Sequence, residues 1–279
     1  MSFDADENMK RVLKLFWQNC HEPWEQAIAP VQLGPHIYYV GSSWVGVTLL
    51  DTGDGFILID SGMPMQLYLI FEGIRELGFN PKDIRKLLIS HGHFDHAGAA
   101  KAIQEYTGAD VYCSLEDLAA IEGRDPEALR NRSEIYHGVS VTKLYADDKP
   151  IIQGNFVIHT KLTAGHTPGT TSFFFQDKDD KGRVYNAALH GGLGLNTLTD
   201  LAQTEEMRKK YRRNLLEFRE LPVDIVCSNH PHMAGFLERK TGAVKEQADY
   251  STPGVWRSML DHYLALLDSL EAGNSQNQR

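Results

Sequence analysis

This 279-residue chain has only three cysteines, and it lacks both long apolar runs and an excess of basic residues. The three cysteines, Cys20, Cys113 and Cys227, lie far apart and form no CxxC pair, so they do not make a dense disulfide framework. One bridge could form, but free thiols in a reducing compartment are the simpler interpretation. No apolar segment approaches the roughly 20 residues that a membrane-spanning helix needs, and we predict no membrane partner.

Basic residues are fewer than acidic ones: the chain has 28 Lys and Arg and 37 Asp and Glu, which gives a formal net charge of −9. Proteins that bind a nucleic-acid backbone usually carry a basic stripe, and here the main basic cluster, at residues 208–213, falls on a predicted helix as a solvated face. We therefore predict no nucleic-acid partner. The chain also begins MSFDADE, acidic where a secretory signal is basic, which favours a cytoplasmic protein, although a trimmed N-terminus would look the same.

The order of apolar patterns predicts an α/β fold with two sheets and helices outside them. Residues 1–279 are predicted to form a single domain, with residues 1–20 as a helical extension and residues 273–279 as a disordered tail. Strands are predicted at residues 37–40, 45–50, 56–60, 86–90, 111–114, 151–153, 156–163, 171–176, 183–189 and 224–227. Helices are predicted at residues 6–19, 65–77, 97–106, 115–123, 204–221 and 255–270, and residues 125–145 are predicted to be irregular.

The densest concentration of chemistry lies at residues 91–96, which read HGHFDH. Three imidazoles and one carboxylate at this spacing suit zinc, or less specifically iron or manganese. The motif follows a predicted strand and precedes a predicted helix. His91 and His93 are two apart in extended backbone and face the same way, whereas Asp95 and His96 open the helix and reach a second point. A lone histidine is usually a surface or core residue, but a match this tight indicates a metal site.

Three further strand ends carry candidate site residues. His166 stands in a turn that Thr-Pro-Gly fixes, which would hold a ligand still. His230 and His232 follow another strand, and either could be a ligand; we favour His230 because it is nearest the strand end. Asp60 ends a third strand, where it either orients a ligand through a hydrogen bond or forms an Asx turn.

These motifs, namely residues 91–96, the GHTPG segment at residues 165–169 and the His-Pro pair at residues 230–231, resemble the metallo-β-lactamase superfamily. The similarity covers roughly residues 37–270, and the late His-Pro pair followed by a C-terminal helix most resembles the subclass-3 metallo-β-lactamases. The resemblance implies a four-layer αββα sandwich, in which two mixed β-sheets pack face to face with helices outside.

The resemblance also implies two zinc ions (Zn²⁺) per chain and a hydroxide bridging them. One ion would be held by His91, His93 and His166, and the other by Asp95, His96 and His230. Three imidazoles leave a zinc an open position, and zinc lowers the pKa of bound water to about 7. Asp95 would orient the nucleophile, which makes it the predicted catalytic residue. The expected activity is β-lactamase-like hydrolysis of an amide or ester carbonyl in a small-molecule substrate.

Two departures from the superfamily pattern bear on the substrate. No acid occurs in residues 184–192, where many superfamily hydrolases place a metal-bridging carboxylate, and this absence favours subclass 3. Subclass-3 enzymes usually carry serines where this chain has Ala188 and His190, so either a protonated His190 contacts the substrate or the substrate is not a β-lactam. By analogy, Trp44 lies near the metals. The other candidates for the pocket wall, for which packing roles are as well supported, are Phe94, Tyr136 and His137.

Several other functions fit part of the pattern. One alternative is a lactonase or thioesterase of the same superfamily, which a substrate panel would distinguish, and another is a mononuclear iron thiol dioxygenase, which metal analysis would reveal. Diiron redox members usually place Glu where this chain has His93, and they carry a flavin domain that is absent here. A nuclease is disfavoured by the charge of −9. A non-catalytic binding module would hold metal without turnover. Nothing in the sequence indicates an oligomeric state.

Overall fold

The computed structural model describes residues 20–125, 136–195, 204–239 and 249–276, together with positions 14, 17 and 18. Strands in these residues form a seven-stranded and a five-stranded sheet. The first sheet contains, in spatial order, β1 (Val31–Gln32), β2 (Ile37–Gly41), β3 (Gly46–Asp51), β4 (Phe56–Ile59), β5 (Ile84–Leu88), β6 (Asp110–Cys113) and β7 (Lys143–Leu144). The second contains β8 (Ile151–Gln153), β9 (Phe156–Leu162), β10 (Thr171–Lys178), β11 (Val184–Leu189) and β12 (Ile225–Cys227), in the spatial order β12-β11-β10-β9-β8.

Both sheets are mixed, as the resemblance implied. In the first sheet, β1 to β4 pair antiparallel and β4 to β7 pair parallel. In the second, β8 to β11 pair antiparallel and β12 is parallel to β11. The burial of each strand follows from what covers its two faces. All four residues of β4 are buried, as expected of a strand covered on both faces, whereas β9 largely alternates between buried and exposed residues.

The four layers are visible in the way β4 divides its side chains. Ile57 and Ile59 join the core cluster that also contains Phe173 of the second sheet, so they pack between the sheets. Phe56 and Leu58 point to the opposite face and join a second cluster, under the helices of the first sheet. Burying each such side chain contributes about 1.5–3 kcal/mol, which offsets part of the conformational entropy lost on folding.

The helices cover the outer faces of the sheets and connect the strands. The segments are α1 (Leu67–Glu76), α2 (Phe94–Ala97), α3 (Ala100–Thr107), α4 (Leu118–Ile121), α5 (Thr204–Phe218), α6 (Pro231–Ala234), α7 (Phe236–Arg239) and α8 (Val255–Gln276). Short 3₁₀ turns begin with a proline at Pro23–Gln26, Pro64–Gln66 and Pro81–Asp83. Within the described ranges, no helix combines the length and apolarity needed to cross a membrane.

The structure changes several predicted boundaries. The helix expected at residues 115–123 is reduced to α4, and the irregular stretch at residues 125–145 ends in strand β7, whose two residues are exposed and give no apolar pattern. The last helix does not end at residue 270 but continues to Gln276, because elongating an existing helix adds one hydrogen bond per residue fixed. It therefore includes the first four residues of the predicted tail, and residues 277–279 lie outside the described part. Of the helix predicted at residues 6–19, only positions 14, 17 and 18 are described, and all three are helical.

Candidate metal centre

The candidate ligands converge because several strands end at one edge of the sandwich. Strands β4 and β5 are parallel, so Asp60 and the 91–96 motif follow their carboxyl ends at the same edge. His230 follows the carboxyl end of β12, and the turn that carries His166 connects β9 to β10. A backbone hydrogen bond of 2.9 Å from Thr171 to Ser90 joins the two sheets here. Ligand sites of α/β proteins commonly lie just outside such strand ends.

The first group of ligand atoms consists of three histidines, His91, His93 and His166. One nitrogen from each lies within 4.8 Å of the others. Nε2 of His91 and Nδ1 of His93 are 3.1 Å apart. The ring of His166 stands edge-on to both of the other rings, with centroids 4.6 Å away. Tetrahedral zinc with bonds of about 2.0–2.1 Å holds its ligands about 3.4 Å apart, so the three nitrogens fit a single ion.

The second group consists of Asp95, His96 and His230. Oδ2 of Asp95 lies 3.6 Å from Nε2 of His96 and 3.5 Å from Nε2 of His230. These separations also fit the edges of one tetrahedral site. The ring centroids of His91, in the first group, and His96, in the second, are 4.0 Å apart, so the two groups stand side by side. The structure thus brings together all six residues that the resemblance implied as ligands, in the same two sets of three.

Backbone carbonyls orient one ring in each group. Nδ1 of His166 is 2.6 Å from the carbonyl oxygen of Gly194, and Nδ1 of His230 is 2.8 Å from that of Trp44. A ring that donates from Nδ1 presents an unprotonated Nε2, which is the form that binds metal. The hydrogen bonds therefore set the tautomer as well as the direction of both rings.

Asp60 orients the ring of His96, a candidate ligand of the second group. It is completely buried and accepts hydrogen bonds from the Ser90 amide at 2.7 Å, the Ser90 hydroxyl at 2.8 Å, Nδ1 of His96 at 2.7 Å and Nδ2 of Asn229. Its φ of 68° is the only positive value at a non-glycine position in the described ranges, in a region that Asp tolerates. Of the two roles predicted for Asp60, the structure places it in the orienting one.

Trp44 stands beside the second group on the tight loop between β2 and β3. Its ring centroid is 5.8 Å from that of His230. The loop is held from within, because the Ser42 hydroxyl accepts from the Val45 amide at 3.2 Å and the Tyr39 hydroxyl donates to the Ser42 carbonyl at 2.6 Å. The position expected for Trp44 by analogy is therefore the one it occupies, and its carbonyl also orients a candidate ligand.

The environment gives the candidate ligands different proton affinities. Burial, together with the neighbouring histidines, lowers the pKa of His91 well below its usual value, and burial lowers that of His230 to about 4. Burial opposes charge on His96 as well, but Asp95 and Asp60 outweigh it and raise the pKa of His96. Burial likewise disfavours charge on Asp95, yet His96 and His230 hold the pKa of Asp95 below its usual range. At neutral pH, His91 and His230 are thus neutral, as metal ligands must be.

The predicted substrate contacts occupy varied places. Ala188 is completely buried in the core, so its methyl group offers no surface to a substrate. His190 is buried too, and burial lowers its pKa to about 3, which disfavours a protonated contact at neutral pH; its part in substrate binding stays a prediction. Phe94 is a buried core residue, and the buried Tyr136 hydroxyl donates to the Ile121 carbonyl. His137 is exposed next to Tyr136, and its part in substrate binding stays a prediction.

The sequence patterns did not indicate two residues that contact the candidate ligands or Asp60. Ser90 contacts Nδ1 of His91 at 3.0 Å through the same hydroxyl that donates to Asp60. Asn229 links Asp60 to the loop that carries His230. Both stand directly before a candidate ligand in the chain, and that adjacency was the only available signal.

The comparisons with known proteins agree with this arrangement. A profile described as "Metallo-beta-lactamase superfamily" matches residues 45–230. Among curated relatives, "Probable metallo-hydrolase YqgX" of Bacillus subtilis is 30% identical over 145 residues. This match covers 50% of the chain and 64% of YqgX, so the chain spans less than two thirds of that relative.

Solved structures extend the similarity to nearly the whole chain. BJP-1, a subclass B3 metallo-beta-lactamase of Bradyrhizobium japonicum, superposes with a TM-score of 0.83 at 24% identity, covering 92% of this chain and 99% of its own. FEZ-1 metallo-beta-lactamase from Legionella gormanii superposes with a TM-score of 0.79 at 27% identity, covering 88% and 95%. The predicted four-layer fold and the likeness to subclass-3 enzymes are both confirmed.

Proposed function

Because the chain belongs to the metallo-β-lactamase superfamily and is a metal-dependent hydrolase, we propose that it is a dinuclear zinc enzyme that cleaves an amide or ester carbonyl. The observation that carries the proposal is the pair of three-ligand groups standing side by side, with His91 and His96 at their junction. Each group supplies three protein ligands and so leaves a coordination position open, as catalytic zinc sites do.

The donor set is the test of whether zinc suits these residues. Five imidazole nitrogens and one carboxylate oxygen are ligands that zinc accepts, and no thiolate stands among them. Two of the rings are also oriented for a metal ion, because hydrogen bonds to the carbonyls of Gly194 and Trp44 leave Nε2 of His166 and of His230 as the ligand atom. The proposed occupancy is two zinc ions per chain.

When bound, a zinc pair would lower the pKa of a water molecule to about 7 and polarise the carbonyl under attack. The protein supplies the remaining functions. The Asp95 carboxylate, ionised at neutral pH, would accept a hydrogen bond from the attacking water and so orient it. Trp44, half-buried beside His230, is the proposed wall against which the substrate packs. His190 contributes no positive charge, because its buried ring is neutral.

The proposed substrate is a small molecule with a strained or activated carbonyl. β-Lactams are the most specific member of that class, but we expect slow β-lactam hydrolysis. Ala188 is a buried methyl group, and neutral His190 cannot pair with a substrate carboxylate. A lost polar contact costs about 0.5–1.5 kcal/mol, or more with a charged partner. Lactones and thioesters need no such anchor and form the second substrate class.

The experiment combines metal analysis with a substrate panel. The purified protein is stripped with chelator, reloaded with zinc and assayed on a chromogenic cephalosporin, a penicillin, an acyl lactone and an acyl thioester. Two zinc ions per chain and zinc-dependent turnover of at least one substrate are expected. Iron alone, with oxygen uptake on a thiol substrate, would instead establish a thiol dioxygenase. Metal without turnover would establish a binding module.

His230 and His232 provide a matched pair of variants for the same experiment. His230 belongs to the second group, whereas His232 is exposed, with its ring 5.7 Å from that of His230. His230→Ala should lower the zinc content to one ion per chain, and His232→Ala should leave it at two. The opposite pattern would overturn the ligand assignment.

A further inference from the structure

A buried carboxylate outside both ligand groups ties the backbone segments of the first group together. Asp117 precedes α4 and is only 4% exposed. Its Oδ2 accepts from the Gly92 amide at 2.8 Å and from the Thr167 hydroxyl at 2.7 Å, and its Oδ1 accepts from the Gly169 amide at 2.8 Å. Nothing in the sequence patterns singled out this residue.

The three donors lie next to the candidate ligands. Gly92 stands between His91 and His93, in the loop after β5 of the first sheet. Thr167 follows His166 directly, in the turn before β10 of the second sheet. A single carboxyl group therefore spans the two sheets and sets the separation of the backbone segments that carry all three histidines.

The close approach of the Gly92 and Gly169 backbone to Asp117 and its helix leaves no room for a side chain at either position. A side chain at Gly169 would place its Cβ 2.5 Å from Cγ of Asp117, and one at Gly92 would meet Ala120 at 2.9 Å. Only glycine lets both amides come this close to the carboxylate. Burial raises the pKa of Asp117, and the three hydrogen bonds oppose that rise. A buried carboxylate is costly unless such donors satisfy it, so the arrangement is a specific one.

We propose that Asp117 is the positioning residue of the first metal site: it holds the His91–His93 loop at the spacing from the His166 turn that one zinc ion requires. The inference rests on the proposed zinc pair. It concerns the spacing of the backbone, whereas hydrogen bonds to the Ser90 hydroxyl and to the Gly194 carbonyl direct the individual rings of His91 and His166. Partners that orient metal ligands are typically worth about 10- to 100-fold in metal affinity.

The test uses Asp117→Asn and a control of equal burial. The Asn amide turns a donor toward Gly92 or Gly169, so at least one of the hydrogen bonds is lost. Asp177 is the control, because it is 3% exposed, accepts hydrogen bonds from His36 and lies at the far end of β10 from the metal centre. Zinc affinity is measured by competition with a chromophoric chelator, and cobalt(II) substitution gives the absorption spectrum of the three-histidine site.

Asp117→Asn should weaken first-site zinc binding by about 10- to 100-fold and shift the cobalt spectrum, while second-site affinity stays within about threefold. Asp177→Asn should lower only the urea midpoint. If Asp117→Asn does not fold, Thr167→Val against Thr167→Ser decides, because only Ser keeps the hydroxyl that Asp117 accepts from. Unchanged first-site affinity in Asp117→Asn or Thr167→Val would overturn the inference alone. A wild-type protein without zinc affinity would overturn the proposed function.

Discussion

The two ligand groups share one short motif but solve the problem of binding a dication differently. The first group has three imidazoles and no carboxylate. In the second, the Asp95 carboxylate offers one of the three ligand atoms. A further carboxylate oxygen, Oδ2 of Asp60, lies 2.7 Å from Nδ1 of His96. A divalent ion in the second group therefore meets negative charge, whereas one in the first meets only neutral nitrogens.

This difference suggests that the first group depends on geometry and the second on charge. Both groups draw ligands from loops of the two sheets, but only in the first do Asp117 and the bond between Thr171 and Ser90 hold the ligand-bearing loops together. In the second, carboxylates on either side of His96 compensate the ion. Coulomb attraction is stronger in a buried site than in water, so removing one of these charges should act mainly on the second ion.

The largest expected effect comes from removing a neutral ligand. Replacing His93 with Ala should reduce hydrolysis to background and lower zinc content from two ions to one, because the first group would keep only two nitrogens. Elemental analysis and the substrate assay on the same sample measure both. A His93→Ala protein that loses both ions, or neither, would show that the two groups are not independent sites.

Asp95→Asn is the corresponding change in the charged group. The amide keeps an oxygen for coordination but cannot take a proton from water, so kcat should fall by about 100- to 1000-fold, with a smaller change in KM. Steady-state kinetics with zinc in excess measure the two parameters separately. A variant with near-normal kcat would remove Asp95 from the proposed catalytic role and leave it a ligand only.

The sequence predicted the features that depend on residues close together in the chain, and it missed those that depend on distant ones. The 91–96 motif is contiguous, and the strands of the first sheet carry apolar runs, so local patterns sufficed for both. The partners of Asp117 are not local, since Gly92 and Thr167 are 25 and 50 residues away from it. No periodicity encodes such a separation, and only the packing of two sheets creates it.

The expected substrate contacts show the same limit of local patterns. Resemblance to a family motif gives the positions of Ala188 and His190 in the chain but not their degree of burial. Strand β11 lies inside the second sheet, between β10 and β12, and its residues from Ala187 to Leu189 are buried, as is His190 directly after it. Burial then decides the proton affinity of His190, a property that no alignment supplies.

Asp60→Asn removes a charge next to the second group without replacing any of the six candidate ligands. Its oxygens accept four hydrogen bonds, including that of His96, and an amide cannot accept them all. We expect zinc affinity at the second group to fall by about 10- to 100-fold while the first group changes little. Chelator competition on the variant and on wild type gives both constants. Equal weakening of both sites would show that Asp60 supports the whole centre.

Acidification should separate the groups without any mutation. Zinc must displace a proton from His96, whose pKa is raised, whereas His91 is neutral until well below its usual pKa. Second-site affinity should therefore begin to fall as pH drops through the raised pKa of His96, by about tenfold per pH unit, while first-site affinity persists to lower pH. Zinc titrations between pH 8 and pH 5, about the range where His titrates, measure this. Loss of the first ion before the second would reverse the assignment.

The smallest effect is expected at Ala188, where the resemblance implies a serine. Ala188→Ser would restore the serine that related enzymes carry, but the position is completely buried between Phe174 and Val226 in the neighbouring strands. A hydroxyl placed there without a partner costs about 1–3 kcal/mol of folding free energy. Thermal unfolding should therefore shift downward, and kcat/KM for a β-lactam should stay within about threefold of wild type.

Ala187→Ser is the matched control, because Ala187 is as small, is buried and points to the opposite face of the same strand. If the serine at 188 acts only through stability, both variants should lose stability while the activity of the folded protein is unchanged. A tenfold rise in β-lactam turnover for Ala188→Ser alone would show that a hydroxyl at this position reaches the substrate. That outcome would add a residue of β11 to the proposed substrate contacts.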